Sequence, residues 1–363
     1  MNLLISESGS GYGGSARYLF DLVSGLDQSR FHLRIAAAED GPWIRRIRAQ
    51  GVPVTLAPRW QSCWKIPAIW IWLKRHRIRL VHLNNEIYSH LPLLLAARLA
   101  GCRLLCHLHG WRGLTRMERW AARFVDEWVC VSDSGARFYR QQLPGRRILA
   151  VPNGLSLNGQ TSCLDAQREF QRRELGLGKD DIGVVTVGRL VPEKGQAIIL
   201  NALALASRQE PRLTGILVGQ DPDPNQRTLT HLRQMAQSLG IQDRVRFLPW
   251  ADDVWPVYGA ADLVVQPSVK PEGFGLVILE AMAARRPVIA TRAGGVVDVV
   301  LDGETGLLVT PGNVEELARA ILRLASDGKL ARRLTETACE RLKTEFTMER
   351  NVRQIQEIYE CLR

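Results

Sequence analysis

No stretch of this sequence is apolar for long enough to cross a bilayer. Its longest apolar runs, residues 66–73 and 91–97, fall far short of the ~20 residues that a spanning helix needs. No charged segment followed by an apolar core opens the chain in the manner of an export signal, so the expectation is a cytoplasmic protein. The seven cysteines (Cys63, Cys102, Cys106, Cys130, Cys163, Cys339 and Cys361) form no C-x-x-C pair, which removes the usual zinc patterns, and their odd number excludes a fully paired disulfide framework. Low-complexity tracts and short repeats are also missing, which excludes solenoids and disordered arrays. Acidic residues are scarce in one part only. Residues 1–150 hold 22 Lys and Arg against 10 Asp and Glu, a net +12, whereas residues 151–363 hold 26 against 27.

A chain of 363 residues exceeds one ordinary core, and its 46% hydrophobic content is that of a globular protein. Apolar strand-like runs alternate with helical patterns throughout, which argues for an α/β architecture of parallel sheets covered by helices. Strand patterning lapses over residues 158–181, the expected hinge. The expected division is 1–160, 161–345 and a terminal helix over 346–363.

The most informative segment is PEGFGLVILEAMAARRPVIAT. Glu272 and Glu280 are separated by seven residues and straddle a Gly-Phe-Gly turn and the first turns of an apolar helix. The turn supplies free backbone N–H groups at a helix N-terminus, which favours a bound anion. Glu280 lies about two turns further on, roughly 12 Å away at 1.5 Å per residue. One carboxylate can meet the reacting end of an extended ligand and the other its far end, a geometry suited to a nucleotide sugar.

Three more elements have compatible chemistry. The apolar run 182–187 leads into Gly188-Arg189-Leu190-Val191-Pro192-Glu193-Lys194-Gly195, a loop with Arg189 and Lys194 five residues apart. Open α/β sheets bind ligands at strand C-termini, and a guanidinium fork with an ammonium suits a diphosphate. At the start of the chain a strand runs into Glu7-Ser8-Gly9-Ser10-Gly11-Tyr12-Gly13-Gly14, a glycine-rich loop before a helix with Leu19, Leu22, Val23 and Leu26 on one face. The strand Leu104-Leu105-Cys106-His107-Leu108-His109-Gly110 ends in His-Gly. His107 and His109 share a face, but only the strand's C-terminal end opens onto a cleft, so His109 is the better candidate. Metal binding by the two is not expected, since no third ligand has suitable spacing.

On these residues the chain resembles the retaining glycosyltransferases of the GT-B fold, specifically family 4 (glycosyl transferases group 1). Glu272 and Glu280 match its E-x7-E signature, and the resemblance covers nearly the whole chain, including Val151-Pro152-Asn153-Gly154 and Gly294-Gly295. It implies two Rossmann-like doubly wound parallel-sheet domains facing a central cleft. Glu272 and the backbone amides of Gly273, Phe274 and Gly275 would hold the donor sugar and the adjacent phosphate, and Glu280 the ribose. Arg189 and Lys194 would neutralise the leaving diphosphate, Gly13 and Gly14 would face the donor phosphate, and His109 would contact the sugar. No cofactor is implied, only a UDP- or GDP-sugar donor and no metal. Asp298 stands where the family usually has Glu, and Phe247-Leu248-Pro249 lacks the common Gly, which leaves the nucleobase open.

The acceptor side of such enzymes is the N-terminal domain, where the positive charge lies. Arg112, Arg116, Arg119 and Arg123 recur at helical spacing, as one basic face, and Trp60, Trp64, Trp70 and Trp72 mingle with Lys65, Lys74, Arg75, Arg77 and Arg79. The expected partners are a lipid-linked or polysaccharide acceptor and an anionic membrane surface, with peripheral contact on the inner face of the cell membrane. No nucleic-acid motif accompanies these cations, so nucleic acid is not an expected partner. Asp221-Pro222-Asp223 imitates a metal-binding D-x-D but reads as a turn. A soluble small-molecule acceptor is the alternative within the class. A nicotinamide-dependent oxidoreductase is the alternative outside it, disfavoured because Gly9, Gly11, Gly13 and Gly14 miss the G-x-G-x-x-G spacing.

Overall fold

The computed structural model describes residues 1–9, 13–57, 60, 62–157, 164–250 and 253–363. They form two compact units, Met1–Ser156 with Phe346–Arg363, and Leu157–Glu345.

The first unit is built on a parallel sheet of seven strands: β1 (Asn2–Glu7), β2 (His32–Ala37), β3 (Val54–Leu56), β4 (Leu80–Asn84), β5 (Arg103–Leu108), β6 (Glu127–Cys130) and β7 (Ile148–Ala150). Their order is β3-β2-β1-β4-β5-β6-β7, so the winding direction reverses between β1 and β4. These strands read as continuous apolar runs because both faces are covered. Leu4, Val81 and Leu104 pack into one core, while Leu3, Ile5, Leu80 and Leu105 pack into another on the opposite face. The second core also takes Met348, Val352, Ile355 and Tyr359 of the terminal helix Met348–Cys361, which returns to this unit. Asn351 anchors that helix, accepting from the Tyr18 hydroxyl at 3.0 Å and donating to the Pro152 carbonyl at 2.7 Å.

The second unit repeats the plan with six parallel strands: β8 (Ile182–Val187), β9 (Leu213–Val218), β10 (Val245–Leu248), β11 (Leu263–Gln266), β12 (Val288–Thr291) and β13 (Leu307–Val309). Their order is β10-β9-β8-β11-β12-β13, and the reversal falls between β8 and β11. Loops at the C-terminal ends of strands flanking such a reversal splay apart and leave a crevice, the usual ligand position in open α/β sheets. The site therefore has a defined address in each unit. No helix among the described residues is long and apolar enough to cross a membrane.

Two expectations change. The stretch 158–181 is not a plain hinge: residues 158–163 lie outside the described residues, but Arg168–Glu174 is a helix of the second unit. Its helical pattern was invisible to an apolar count because it docks through charge. Arg168 and Arg172 pair with the two oxygens of Asp262 at 2.6 and 2.8 Å, and Arg172 also donates to three backbone carbonyls. The second change concerns the basic face. Thr115 and Glu118 form a capping box that starts the helix at Arg116, and after Ala121 the chain tightens into a 3-10 turn, Ala122–Phe124. Arg112 therefore precedes the helix, and it is held by ion pairs to Glu86 and to the buried Glu118.

The Asp262 clamp supports a stability prediction. Asp262→Ala leaves the guanidinium of buried Arg172 without its counter-ion, and urea unfolding should show a loss of about 2–4 kcal/mol. A change within 0.5 kcal/mol, the typical range for an ordinary surface substitution, would show that the carbonyl contacts alone hold the helix.

Candidate active site

In the second unit the loop after β8 and the loop after β11 meet at one carboxylate oxygen. Glu272 Oε1 accepts from Lys194 Nζ at 2.5 Å and from Ser268 Oγ at 2.5 Å. Ser268 is itself fixed, since its carbonyl accepts from Thr291 Oγ1 at the end of β12, 2.7 Å away. The main chain of Glu272 bridges Gly294, and its carbonyl accepts from Gly295 N at 2.8 Å. Glu272 is thereby tied to loops from three strands. Its second oxygen, Oε2, has no hydrogen bond among the described residues and is available to a ligand.

Lys194 reaches this point because Gly195 turns the chain. Gly195 has φ 72° and lies against the Pro267 carbonyl, where any side chain would collide. Arg189, in the same loop, is exposed, and its charge helps to hold the Glu193 carboxyl below its ordinary pKa, behind the larger effect of Lys270. The Arg189 carbonyl is held by Gln196 Nε2 at 2.8 Å, which fixes the loop backbone.

The turn 273–275 leads into the helix Leu276–Ala283, whose N-cap, Gly275, has φ 97° and no side-chain cap. Ile278 N donates to the Gly275 carbonyl at 2.9 Å, and with no side chain capping the turn the helix end keeps its attraction for an anion. Phe274 is buried and pins the turn to the core, while Gly273 and Gly275 are partly accessible. Glu280 sits in the second turn of this helix, 4% exposed, with Oε2 accepting from the Tyr258 hydroxyl at 2.5 Å. Neither Ser268 nor Tyr258 was legible beforehand, since each is tied to its carboxylate only by the fold.

Asp221 and Asp223 are turn residues. Asp221 accepts from the backbone of Asp223 and Leu229, both at 2.9 Å, and Asp223 accepts from Asn225 N at 2.9 Å and pairs with Arg227 at 2.9 Å.

In the first unit Gly13 caps the helix Gly14–Gly25 in an extended conformation, whereas Ser10, Gly11 and Tyr12 lie outside the described residues. The register places Glu7 beside Asn84 and Asn84 beside His107, so one face of the sheet turns from apolar to polar at its C-terminal end. His109 follows directly, and its Nε2 lies 2.8 Å from Asn84 Oδ1. Tyr18 and His107 flank the ring at centroid distances of 4.9 and 4.3 Å. Burial pushes the His109 pKa below its ordinary range, so the imidazole is neutral at pH 7. Glu7 was not singled out by sequence reasoning. It is 1% exposed and accepts from Gly9 N at 2.7 Å, Asn84 Nδ2 at 2.5 Å and Asn85 Nδ2 at 2.9 Å. Desolvation outweighs these contacts and raises its pKa from 4.5 to about 7.

Of the four arginines expected on one helical face, Arg116, Arg119 and Arg123 are exposed. Arg119 donates to the Leu114 carbonyl at 2.6 Å, and Arg123 lies 5.2 Å over the Trp120 ring. The tryptophans divide: Trp60 and Trp72 pack edge to face against each other and lie against the core, while Trp64 and Trp70 are 69% and 39% exposed.

Comparison with known proteins fits this geometry. Residues 12–158 match the family described as Glycosyltransferase Family 4, and residues 167–341 the one described as Glycosyl transferases group 1. HepE of Anabaena, solved with UDP and glucose, superimposes with a TM-score of 0.87 at 27% identity, covering 99% of each chain. WaaG, a glycosyltransferase involved in lipopolysaccharide biosynthesis, gives 0.76 over 99% of each chain, at 19% identity, a likeness of fold alone. The D-inositol 3-phosphate glycosyltransferase of Corynebacterium glutamicum is 37% identical over 59% of this chain and 51% of its own length. The lipopolysaccharide core biosynthesis glycosyltransferase LpsE of Rhizobium meliloti is 36% identical over 49% of each. The chain spans about half the length of these curated relatives. The two parallel-sheet units define a GT-B fold. Within that class, the chain belongs to glycosyltransferase family 4.

The raised pKa of Glu7 fixes a pH dependence. The folded chain holds this proton more tightly than the unfolded chain, so the contribution to stability is complete below about pH 4.5 and is lost as pH rises through about 7. Urea unfolding of Glu7→Gln should lack a wild-type decline of order 3 kcal/mol across this window. Parallel pH profiles for the two proteins would show that Glu7 is not perturbed.

Proposed function

We propose that this protein is a retaining, metal-independent glycosyltransferase that moves a sugar from a nucleoside diphosphate donor to a glycolipid or envelope polysaccharide. The observation that carries this reading is the junction at Glu272, where a carboxylate, an ammonium and an uncapped helix N-terminus converge at the switch point of the second sheet. Lys194 and Arg189 neutralise the diphosphate as it departs, and the N–H groups at the start of the helix Leu276–Ala283 add to that field. Because the cations are side chains, no divalent ion is required at the phosphates. Glu272 Oε2 and the amides of Gly273, Phe274 and Gly275 hold sugar hydroxyls and the phosphate beside them. Glu280, oriented by Tyr258, takes the ribose. Gly13 and Gly14 let backbone approach the donor phosphate, and His109 takes a sugar hydroxyl. The UDP and glucose of the HepE structure support a UDP-sugar donor.

The departing phosphate is the base nearest the anomeric carbon, so the acceptor hydroxyl approaches on the face from which the phosphate leaves, and the configuration is retained. Turnover measured in EDTA, with product anomers read by NMR, tests the reaction. Full activity and retention are expected; loss of activity in EDTA that Mn²⁺ restores, or an inverted anomer, overturns it. Lys194→Ala and Glu272→Ala should each lower kcat about 10²- to 10³-fold in folded protein. Near-normal turnover in either would remove the residue from the site.

Support for a lipid-linked acceptor comes from the surface of the first unit. Trp64, Trp70 and Ile71 are exposed on one segment with Lys65, Lys74 and Arg75, and Met117 and Trp120 are exposed beside Arg116, Arg119 and Arg123. Apolar rings among cations suit the headgroup layer of an anionic membrane on the inner face of the cell membrane. The inositol phosphate relatives favour a second reading, a soluble anionic acceptor met by the same cations. Trp64→Ala with Trp70→Ala should weaken binding to anionic vesicles about tenfold or more, with UDP affinity unchanged. Unchanged vesicle binding would favour the soluble acceptor.

A further inference from the structure

The polar row at the end of the first sheet has a direction. Asn84 presents Nδ2 to two oxygens, Glu7 Oε2 at 2.5 Å and the Ser15 carbonyl at 3.3 Å, and a carbonyl can only accept. The other end of the amide, Oδ1, therefore faces His109 Nε2 at 2.8 Å, and an oxygen acceptor requires a proton on that nitrogen. We propose that Glu7 and Asn84 are positioning residues that hold His109 as the Nε2–H tautomer, so that Nδ1 is presented as a bare acceptor for a hydroxyl of the bound sugar. The proposal rests on the assignment of His109 to the donor sugar.

The remaining contacts agree on the same polarity. Glu7 Oε1 accepts from Gly9 N at 2.7 Å, Asn85 Nδ2 at 2.9 Å and Ser15 Oγ at 3.4 Å, so every group around the carboxylate donates to it. Asn85 has φ 147°, a region that side chains other than glycine seldom enter, and this strained residue is tethered to Glu7 by its amide. The groups beside His109 do not compete for its protons. His107 has both ring nitrogens buried without a partner among the described residues, and the Tyr18 hydroxyl donates to Asn351. No hydrogen bond to His109 Nδ1 is made among the described residues. Burial keeps the ring neutral, so only the choice of tautomer is left, and Asn84 makes it.

An isosteric change reverses the polarity. In Glu7→Gln the new amide oxygen stays among the three donors at Oε1, and its nitrogen then meets Asn84 Nδ2, donor against donor. Rotating the Asn84 amide relieves that clash at the 2.5 Å contact, sets Oδ1 against the Ser15 carbonyl only at the longer 3.3 Å contact, and turns Nδ2 towards His109. Nε2 must then be bare and the proton must move to Nδ1. A merely structural role for Glu7 predicts lost stability but no tautomer reversal.

The test is a long-range ¹H–¹⁵N spectrum of the full chain with ¹⁵N-labelled histidine at pH 8, where Glu7 is ionised and the imidazoles are neutral. The chain has seven histidines, and His109 is assigned as the signal lost in His109→Gln. The expected result is Nε2–H in the wild type, Nδ1–H in Glu7→Gln and a mixture in Asn84→Ala. With a functional donor, Glu7→Gln should also lower kcat about 10- to 100-fold, the usual effect of losing an orienting partner behind a functional side chain. Nδ1–H in the wild type, or Nε2–H persisting in folded Glu7→Gln, overturns the proposal, and the wild-type spectrum decides even if the variant does not fold. A correct tautomer pattern without sugar transfer from any donor upholds the lock and sinks the transferase reading, whereas transfer with the wrong tautomer does the reverse.

Discussion

One carboxylate oxygen, Glu272 Oε1, holds the candidate site of the second unit together. Parallel strands bring the loops after β8, β11 and β12 to the same edge of the sheet, but nothing in a parallel ladder fixes loops to each other beyond the last backbone hydrogen bond. Lys194 and Ser268 supply that fixation by converging on the oxygen at 2.5 Å each, and the Glu272 main chain extends it to Gly294 and Gly295. The pair is partly exposed, with 28% and 18% of the side chains accessible, so its net contribution to stability is small. What it provides is position. An ammonium, a free carboxylate oxygen and an uncapped helix end are held in place before any ligand arrives, which is the condition for electrostatic stabilisation of a leaving diphosphate.

The first unit solves a related problem with neutral groups. Its polar row is buried, so an uncompensated charge there is expensive, and the chain uses a neutral imidazole, two asparagine amides and a carboxyl whose pKa burial raises to about 7. Positive charge is kept instead for exposed positions such as Arg116, Lys74 and Arg75. The two units thus divide the electrostatic work. Fixed cations and a helix end are gathered in one, and a neutral hydrogen-bonding row in the other.

Much of the second unit was legible because its chemistry is local. Glu272, Glu280, Arg189 and Lys194 lie in short segments whose glycines and apolar runs specify the turn, the helix and the strand around them. Glu7, Asn84, Ser268 and Tyr258 were not legible because their roles arise from strand order. Asn84 meets Glu7 and His107 only because β4 lies between β1 and β5. The basic face was misread although a signal was present: Thr115-x-x-Glu118 is a capping box, and it places the helix start after Arg112. The helix Arg168–Glu174 escaped because it buries guanidinium groups against Asp262 rather than an apolar stripe.

The central claim is that Lys194 and Arg189 recognise the distal phosphate of a nucleoside diphosphate, and calorimetry of matched nucleotides reads this directly. Uridine, guanosine and adenosine diphosphates are each compared with their monophosphates, in the wild type and in Lys194→Ala. The account predicts that the best-bound diphosphate exceeds its monophosphate by about tenfold or more, the scale of one charge-assisted contact, and that Lys194→Ala removes most of this difference. Equal affinity for the diphosphate and monophosphate of every base, or a preference unchanged in Lys194→Ala, would contradict it.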